Sequence, residues 1–129
     1  MYRKFLRAKI HNATVTHADL HYEGSVTIPK ELMILADIKQ YEAVQIWNTT
    51  RGSRLETYAI SAENQDSSIC INGAAAHLVH PGDKIIIAAF VEIDEDTMKS
   101  FKPRIVFVDK NNKPTEIDCE IPGPHTRPR

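Results

Sequence analysis

The feature that most constrains the fold is a series of short segments rich in β-branched and aromatic residues, separated by turn formers along all 129 residues. Such side chains favour strands because they pack well on a pleated, half-buried surface. The sequence predicts strands at Tyr2–Ile10, Ala13–Thr16, Ser25–Ile28, Ala43–Trp47, Arg54–Ser61, Ser68–Ile71, Lys84–Ile93, Ile105–Val108 and Thr115–Ile121.

Two segments favour a helix, and residues 72–77 are read first as a turn leading into a short helix. Pro29–Ala36 has a proline suited to a first helical position and an apolar stripe, and Asp94–Phe101 opens with acidic residues. A small chain with many strands must close its sheet or cover the sheet edges. We therefore predict one mainly β domain spanning residues 1–129, a small barrel with one or two short helices and a flexible tail at about residues 122–129.

The charge balance excludes some partners. Sixteen basic against seventeen acidic residues give a formal net charge of −1, so no overall field favours nucleic acid or an anionic membrane. The longest apolar stretch, Ile85–Val91, is far shorter than the ~20 residues of a membrane helix, and the N-terminus lacks a signal-peptide core. We expect a soluble cytoplasmic protein with no nucleic-acid or membrane partner.

Cysteine and histidine give no metal-site pattern. Cys70 and Cys119 form no C-x-x-C motif, and we expect both thiols to be buried as small apolar groups. His17 and His21 would share a face only in a helix, which the surrounding β pattern disfavours. No bound metal is expected.

The pair Gly24-Ser25 lies between two β-like segments and can be read simply as a loop. It also permits a specific reaction. A serine hydroxyl can attack the preceding carbonyl when the backbone is strained, and glycine makes such a conformation accessible. The amide becomes an ester, elimination releases the Gly24 carboxylate and leaves dehydroalanine, and hydrolysis of its imine form releases ammonia and gives an N-terminal pyruvoyl group.

Three motifs identify a family. The segments VTHADLHYEGS (residues 15–25), IWN (46–48) and NGAAAH (72–77) closely resemble the pyruvoyl-dependent aspartate 1-decarboxylases of bacterial pantothenate synthesis. The resemblance runs from the N-terminus to about Val91, and the region after Asp94 is less distinctive. Val26 stands where members often have cysteine, but that side chain is not needed for the acyl shift.

The resemblance implies a fold, an assembly and a reaction. It implies a double-psi β-barrel, assembled as a homotetramer with active sites near subunit boundaries. Self-cleavage between Gly24 and Ser25 would give chains of residues 1–24 and 25–129. The mature lyase would convert L-aspartate to β-alanine and CO₂ without metal or PLP. The sequence contains no signal for or against a maturation helper protein.

The resemblance also implies residue roles. Ser25 would become the pyruvoyl group that forms a Schiff base with the substrate, and Tyr58 would donate a proton to the carbanion. Substrate binding would involve Lys9, Arg54, Thr57, Gly73, Ala74 and Ala75. Processing would involve Gly24, Ser25, His11, Thr57 and Asn72.

Elementary chemistry is compatible with these roles. A carbonyl conjugated with an amide can accept the electrons released by decarboxylation, and a dianion requires fixed positive charge such as Arg54 and Lys9. Without the family match, these cations would be read as a solvated surface pair and Tyr58 as a packed strand tyrosine. Strand alternation places Arg54 and Tyr58 on one face and Thr57 on the other. Either the strand is irregular, Thr57 acts through its backbone, or neighbouring subunits share the site.

A second hypothesis is a non-catalytic β-barrel binding module. Strict alternation would put Arg3, Arg7 and Lys9 on one strand face, where they could bind the phosphate backbone of a nucleic acid. The balanced net charge weakens this alternative.

Overall fold

The computed structural model describes residues 1–23, 25–63 and 66–124, and most of its regular structure is strand. The strands are β1 (Tyr2–Thr14), β2 (His17–Asp19), β3 (Ser25–Pro29), β4 (Ala43–Asn48), β5 (Arg54–Ala62), β6 (Cys70–Asn72), β7 (Lys84–Asp94), β8 (Arg104–Val108) and β9 (Pro114–Ile117). The helices are α1 (Lys30–Ala36), α2 (Glu95–Met98) and a 3₁₀ helix (Gly73–His77).

The strands form one sheet in the order β2-β6-β3-β5-β4-β7-β1-β8-β9. The side chain of Asn112, in the β8–β9 turn, links its two ends. Its Nδ2 donates to the carbonyl of Thr14 at 2.9 Å and to that of Ser67, just before β6, at 2.9 Å. The sheet therefore curves back on itself, and the predicted mainly β, barrel-like class with few short helices is confirmed.

The core lies inside this curved sheet. It is built from buried aliphatic side chains contributed by nearly every strand, including Ile10, Val26, Ile46, Ile71 and Ile87. Leu32 of α1 is fully buried in the same cluster, so the helix covers one opening of the sheet. Burying a large aliphatic side chain stabilises a fold by roughly 1.5–3 kcal/mol, which makes this cluster the main source of stability.

Strand β1 is one element where the sequence predicted two. It runs through Asn12, whose φ of 72° marks a local irregularity, and its pairing with β7 shifts register twice. At the first shift, Leu6 pairs with Phe90 and Ala8 pairs with Ala89, so Arg7 is an extra residue. An inserted residue interrupts alternation without ending the strand.

Other differences concern short elements. Strand β2 was not predicted, because its three residues owe their pairing to β6, about fifty positions away. Pro29 is the N-cap of α1 and not its first helical residue, and α2 is shorter than predicted. Cys119 is exposed and Cys70 half-buried, so the prediction of two buried thiols is wrong. Gly24 and residues 125–129 of the predicted tail lie outside the described residues.

Within the described ranges, no helix combines the length and the apolar character needed to cross a bilayer.

A buried carboxylate joins the β4–β5 turn to the loop before β7. Asp83 accepts hydrogen bonds from Asn48 Nδ2 at 2.8 Å, Arg51 Nε at 2.9 Å and the backbone N–H of His80 at 2.9 Å. Burial acts to raise the pKa of Asp83, but the hydrogen bonds and the charge of Arg51 outweigh it, so the pKa lies below its ordinary value. The folded state therefore favours the ionised carboxylate.

We predict that Asp83→Ala lowers the free energy of unfolding by about 1–3 kcal/mol at neutral pH, because it leaves buried donors unsatisfied. Since folding lowers this pKa, the stabilisation is present above the ordinary value of 3.8 and is lost as the pH falls through the folded value. Urea unfolding should show the gap from wild type narrowing in acid.

The control for this experiment is Asp96→Ala. The Asp96 side chain is 96% exposed and 3.7 Å from Lys99, so its loss should change stability by less than ~0.5 kcal/mol. An equal loss in both variants at neutral pH would contradict the assigned role of Asp83.

Candidate active site

Ser25 is the first residue of β3 and is buried, with 2% of its surface exposed. Strand β3 pairs in parallel with β5 and antiparallel with β6. The antiparallel register places Ser25 directly opposite Asn72. The predicted nucleophile is thus held between two neighbouring strands. Gly24, the other half of the predicted cleavage site, lies outside the described residues.

Asn72 connects this strand pair to the NGAAAH motif. It is 6% exposed, and its Nδ2 donates to Thr27 Oγ1 at 3.3 Å. Gly73 follows with a φ of 73°, a left-handed conformation that side chains disfavour, and begins the 3₁₀ helix. The predicted turn leading into a short helix is therefore confirmed, and glycine is required where the chain bends away from Ser25.

An open cleft of about 710 Å³ adjoins Ser25 and Asn72. Three carboxylates, those of Glu23, Glu63 and Asp66, line it, and its described lining contains no lysine or arginine. One chain therefore presents its serine in an acidic cleft. The other described lining residues are His17, Tyr22, Thr27, Gln40, Ile60, Ser61, Ala62, Ser68 and Cys70.

Tyr58 lies on β5 beside Ser25. Val26 of β3 pairs with Ala59 of β5, so the residues one position earlier, Ser25 and Tyr58, project from the same face of the sheet. Tyr58 is 38% exposed, and its ring centroid is 6.2 Å from that of Tyr41. The phenol lies on a neighbouring strand to the serine and is open to solvent.

Thr57 projects from the opposite face. The β4–β5 register has no shift, and exposure alternates along β5, with Arg54 and Tyr58 exposed and Thr57 half-buried. The possibility that the strand is irregular is therefore wrong. A backbone role for Thr57, or a site shared between subunits, remains.

Arg54 is at the far end of β5, roughly 13 Å from Tyr58 at ~3.3 Å per residue. Its guanidinium carbon is 4.7 Å from the centroid of the Trp47 ring. The side chain is on the same face as Tyr58 but does not line the cleft beside Ser25.

Lys9 and His11 lie farther away, on β1, with strands β5, β4 and β7 between them and β3. Lys9 is 8% exposed, and its Nζ is 2.8 Å from Glu120 Oε2. His11 pairs with Phe107 and contacts its ring edge-on at 5.4 Å. In the strand order, both residues are therefore remote from Ser25.

Several cleft residues were not among the predicted site residues. Thr27 could have been found by alternation from Ser25, and His17 and Tyr22 lie inside the quoted motif. Cys70 could not have been found from the sequence, because only its pairing with Thr27 brings it to the cleft. Burial raises the pKa of the Cys70 thiol, and the nearby Asp66 raises it further, so this thiol is kept protonated.

Metal ligands do not cluster among the residues that the structure describes. Over residues 1–23, 25–63 and 66–124, no group of three or more His, Cys, Asp or Glu side chains is arranged to hold a metal ion. His17 lies on β2 and His21 lies in the turn after it, so the two do not share a helix face, as the β pattern predicted.

The basic face of the alternative binding module is not formed. The register shift at Arg7 reverses alternation, so Arg3 and Lys9 project from opposite faces. Each cation is also within 4 Å of a carboxylate: Arg3 with Glu95, Arg7 with Glu42 and Asp37, Lys9 with Glu120. The prediction of a shared face is wrong.

Comparison with known proteins gives a consistent family. Residues 1–115 match the sequence profile described as aspartate decarboxylase, so the similarity extends beyond the region recognised from motifs. A protein named aspartate 1-decarboxylase from Syntrophotalea carbinolica is 56% identical, with 95% of this chain and 94% of that protein covered. The aspartate 1-decarboxylase from Myxococcus xanthus is 54% identical, with 98% of this chain and 98% of that protein covered. The one from Rhodopirellula baltica is 52% identical, with 98% of this chain and 81% of that protein covered.

The fold and the cleft are those of a mainly β protein with a buried serine beside an open cleft. The comparisons identify the enzyme family to which such a chain belongs. The chain belongs to the aspartate decarboxylase family. The family and the enzyme class predicted from the sequence are therefore confirmed.

Proposed function

We propose that this chain decarboxylates L-aspartate to β-alanine and CO₂, using a pyruvoyl group made from Ser25 after self-cleavage between Gly24 and Ser25. The observation that carries the proposal is the position of Ser25, buried at the start of β3 and adjoining an open cleft. Family membership gives the substrate, since the relatives are named aspartate 1-decarboxylases. The resemblance further supports a cytoplasmic enzyme that supplies pantothenate and coenzyme A synthesis.

The neighbours of Ser25 fit a processing site. Its hydroxyl is shielded from bulk water, and Asn72, opposite it in the ladder, carries an amide that donates hydrogen bonds. Donors directed at a developing oxyanion lower the barrier to acyl transfer, which is the role proposed for Asn72 and Thr57. The further processing role of His11, which is on β1 and separated from β3 by three strands in the sheet order, is proposed from the family resemblance alone.

The pyruvoyl group would supply a carbonyl conjugated with an amide, which accepts electrons as carbon dioxide leaves. No metal or PLP is needed for this chemistry. The chain's other residues would bind the substrate, exclude water and deliver a proton. Gly73, Ala74 and Ala75 suit substrate binding because small side chains let backbone N–H groups approach a carboxylate closely.

Tyr58 is the proposed proton donor. It projects from the same face as Ser25 on the neighbouring strand, which supports this role, although Tyr58 is not among the described residues that line the Ser25 cleft. A positioned acid typically contributes about 10²–10⁴-fold in rate. Its exposed ring leaves room for a substrate.

The proposed substrate cations support an oligomer with shared sites. Aspartate carries two carboxylates, whereas the described lining of the Ser25 cleft contains acidic groups and no lysine or arginine. Lys9 and Arg54 lie on the same sheet face as Tyr58, as the pairings Lys9–Ala88, Ala88–Gln45 and Gln45–Glu56 require. A second copy docked on this face would bring its cations to the Ser25 cleft, in keeping with a homotetramer.

We predict that Ser25→Ala abolishes cleavage and activity together, because no hydroxyl remains to attack the peptide bond. Intact-mass spectrometry should show chains of residues 1–24 and 25–129 for the wild type, and one chain of 129 residues for the variant. The matched control is Ser68→Ala, a cleft serine outside the proposed chemistry, which should be processed normally. Full turnover by uncleaved Ser25→Ala would refute the mechanism.

We predict that Tyr58→Phe is still cleaved but loses roughly 10²–10⁴-fold in kcat, because it removes only the proton donor. The control is Tyr41→Phe, which alters a ring 6.2 Å away and should leave kcat within about two-fold. Steady-state kinetics on fully processed protein would decide. Unchanged kcat in Tyr58→Phe would remove this residue from the mechanism without affecting the role of Ser25.

A shared site predicts complementation. Ser25→Ala and Arg54→Met should each be nearly inactive alone, and co-expression should restore aspartate turnover, because mixed oligomers pair an intact Ser25 with an intact Arg54. Differently tagged subunits would verify mixing. Co-expression of Ser25→Ala with Asn72→Leu is the control without rescue, since Asn72 acts beside Ser25 in its own chain. No rescue in verified Ser25→Ala/Arg54→Met hybrids would contradict sharing.

A further inference from the structure

Trp47 and Arg54 are partners on neighbouring strands. They are opposite each other in the β4–β5 ladder, and the guanidinium carbon lies 4.7 Å from the ring centroid. This distance is within the ~6 Å over which a cation is attracted to an aromatic face. A guanidinium that places its flat face over indole keeps its N–H donors at the edge, where they can meet a carboxylate.

Arg54 differs from the other arginines in the described ranges. Arg3, Arg7, Arg51 and Arg104 each donate to a carboxylate or a backbone carbonyl. For Arg54, the described part of the chain offers the Trp47 ring and no oxygen acceptor. Its side chain is exposed, so its N–H groups are free to donate hydrogen bonds to an external anion.

Trp47 is itself held in place. Its ring contacts Phe90 at 6.2 Å with an interplanar angle of 50°, and the Lys4 ammonium lies 5.2 Å from the Phe90 ring. The four side chains form a continuous row across strands β1, β7, β4 and β5. The indole is therefore packed against a ring on β7 as it contacts Arg54.

We propose that Trp47 is a positioning residue that orients the Arg54 guanidinium to receive a substrate carboxylate. This inference rests on the proposed function, in which Arg54 binds aspartate. In this proposal Trp47 acts through its contact with Arg54 and not on the reacting atoms. An oriented guanidinium loses less freedom when it binds, so the effect is on affinity.

Kinetics separate positioning from packing. Trp47→Leu should raise KM for L-aspartate about 2- to 5-fold with kcat little changed, the size expected of an exposed cation–π contact. Trp47→Phe retains an aromatic face and should rescue most of that loss. In the Arg54→Met background, Trp47→Leu should cause no further fall in the low residual kcat/KM, because the residue through which it acts is gone.

A matched control tests whether any loosening of this sheet face has the same effect. Phe90→Leu removes the ring packed on Trp47 but leaves the Trp47–Arg54 contact. It should raise KM less than Trp47→Leu, with both proteins fully processed by intact mass and comparably stable to urea. Equal KM changes in the two single variants, or a further fall in residual kcat/KM when Trp47→Leu is added to Arg54→Met, would overturn the proposal.

Trp47 also gives a direct optical readout, because it is the only tryptophan in the chain. Titration with succinate, which has two carboxylates and no amine, should change tryptophan emission in the wild type and not in Arg54→Met. The same emission change in both proteins, or no change in the wild type, would overturn the proposal.

Failure of this inference is distinct from failure of the proposed function. An Arg54-dependent response to succinate without aspartate turnover would support the Trp47–Arg54 pair and refute the decarboxylase. Normal aspartate turnover with a KM unaffected by Trp47→Leu would support the decarboxylase and refute the positioning role of Trp47.

Discussion

The double pairing of β3 is the constraint on which the candidate site depends. A buried strand must satisfy its backbone N–H and C=O groups, and β3 does so with β5 on one side and β6 on the other. Because Ser25 is its first residue, the ladder fixes the serine opposite Asn72 and beside Tyr58 without further contacts. Strand register therefore brings together Ser25, Asn72 and Tyr58, three of the residues proposed for self-processing and protonation.

The same sheet separates positive charge from the serine. Lys9 and Arg54 share the outer face with Tyr58, yet three intervening strands keep Lys9 from β3, and half the length of β5 keeps Arg54 from Tyr58. The cleft at Ser25 is lined by carboxylates. An isolated chain would repel a dianion from the place where it must react, whereas association of two outer faces would supply the missing cations. On the proposed function, oligomerisation is part of building the site.

The sequence predicted best those features that depend on local pattern. Alternation along Arg54–Tyr58 correctly gave the face of each residue, because the β4–β5 register is regular. Alternation failed in β1, where the extra residue Arg7 reverses the faces of Arg3 and Lys9, and nothing in the local composition marks an insertion. Pairings between residues far apart in the chain, such as Cys70 with Thr27 or Lys9 with Glu120, could not be predicted from the sequence either. Ser25 and Asn72 were found through motifs, but only the ladder put them side by side.

The two proposed substrate cations are in different states. Lys9 is nearly buried and already paired with Glu120, 111 positions away, so a substrate carboxylate must exchange with an internal one to reach it. Arg54 is exposed, stacked on Trp47 and engaged by no described oxygen acceptor. When a substrate carboxylate replaces Glu120 at Lys9, one ion pair is exchanged for another, so little binding energy is gained. Binding at Arg54 instead adds charge-assisted hydrogen bonds to a guanidinium that has no described oxygen acceptor. In the proposed enzyme, Arg54 therefore contributes more than Lys9 to substrate affinity, which is why the orientation imposed by Trp47 matters.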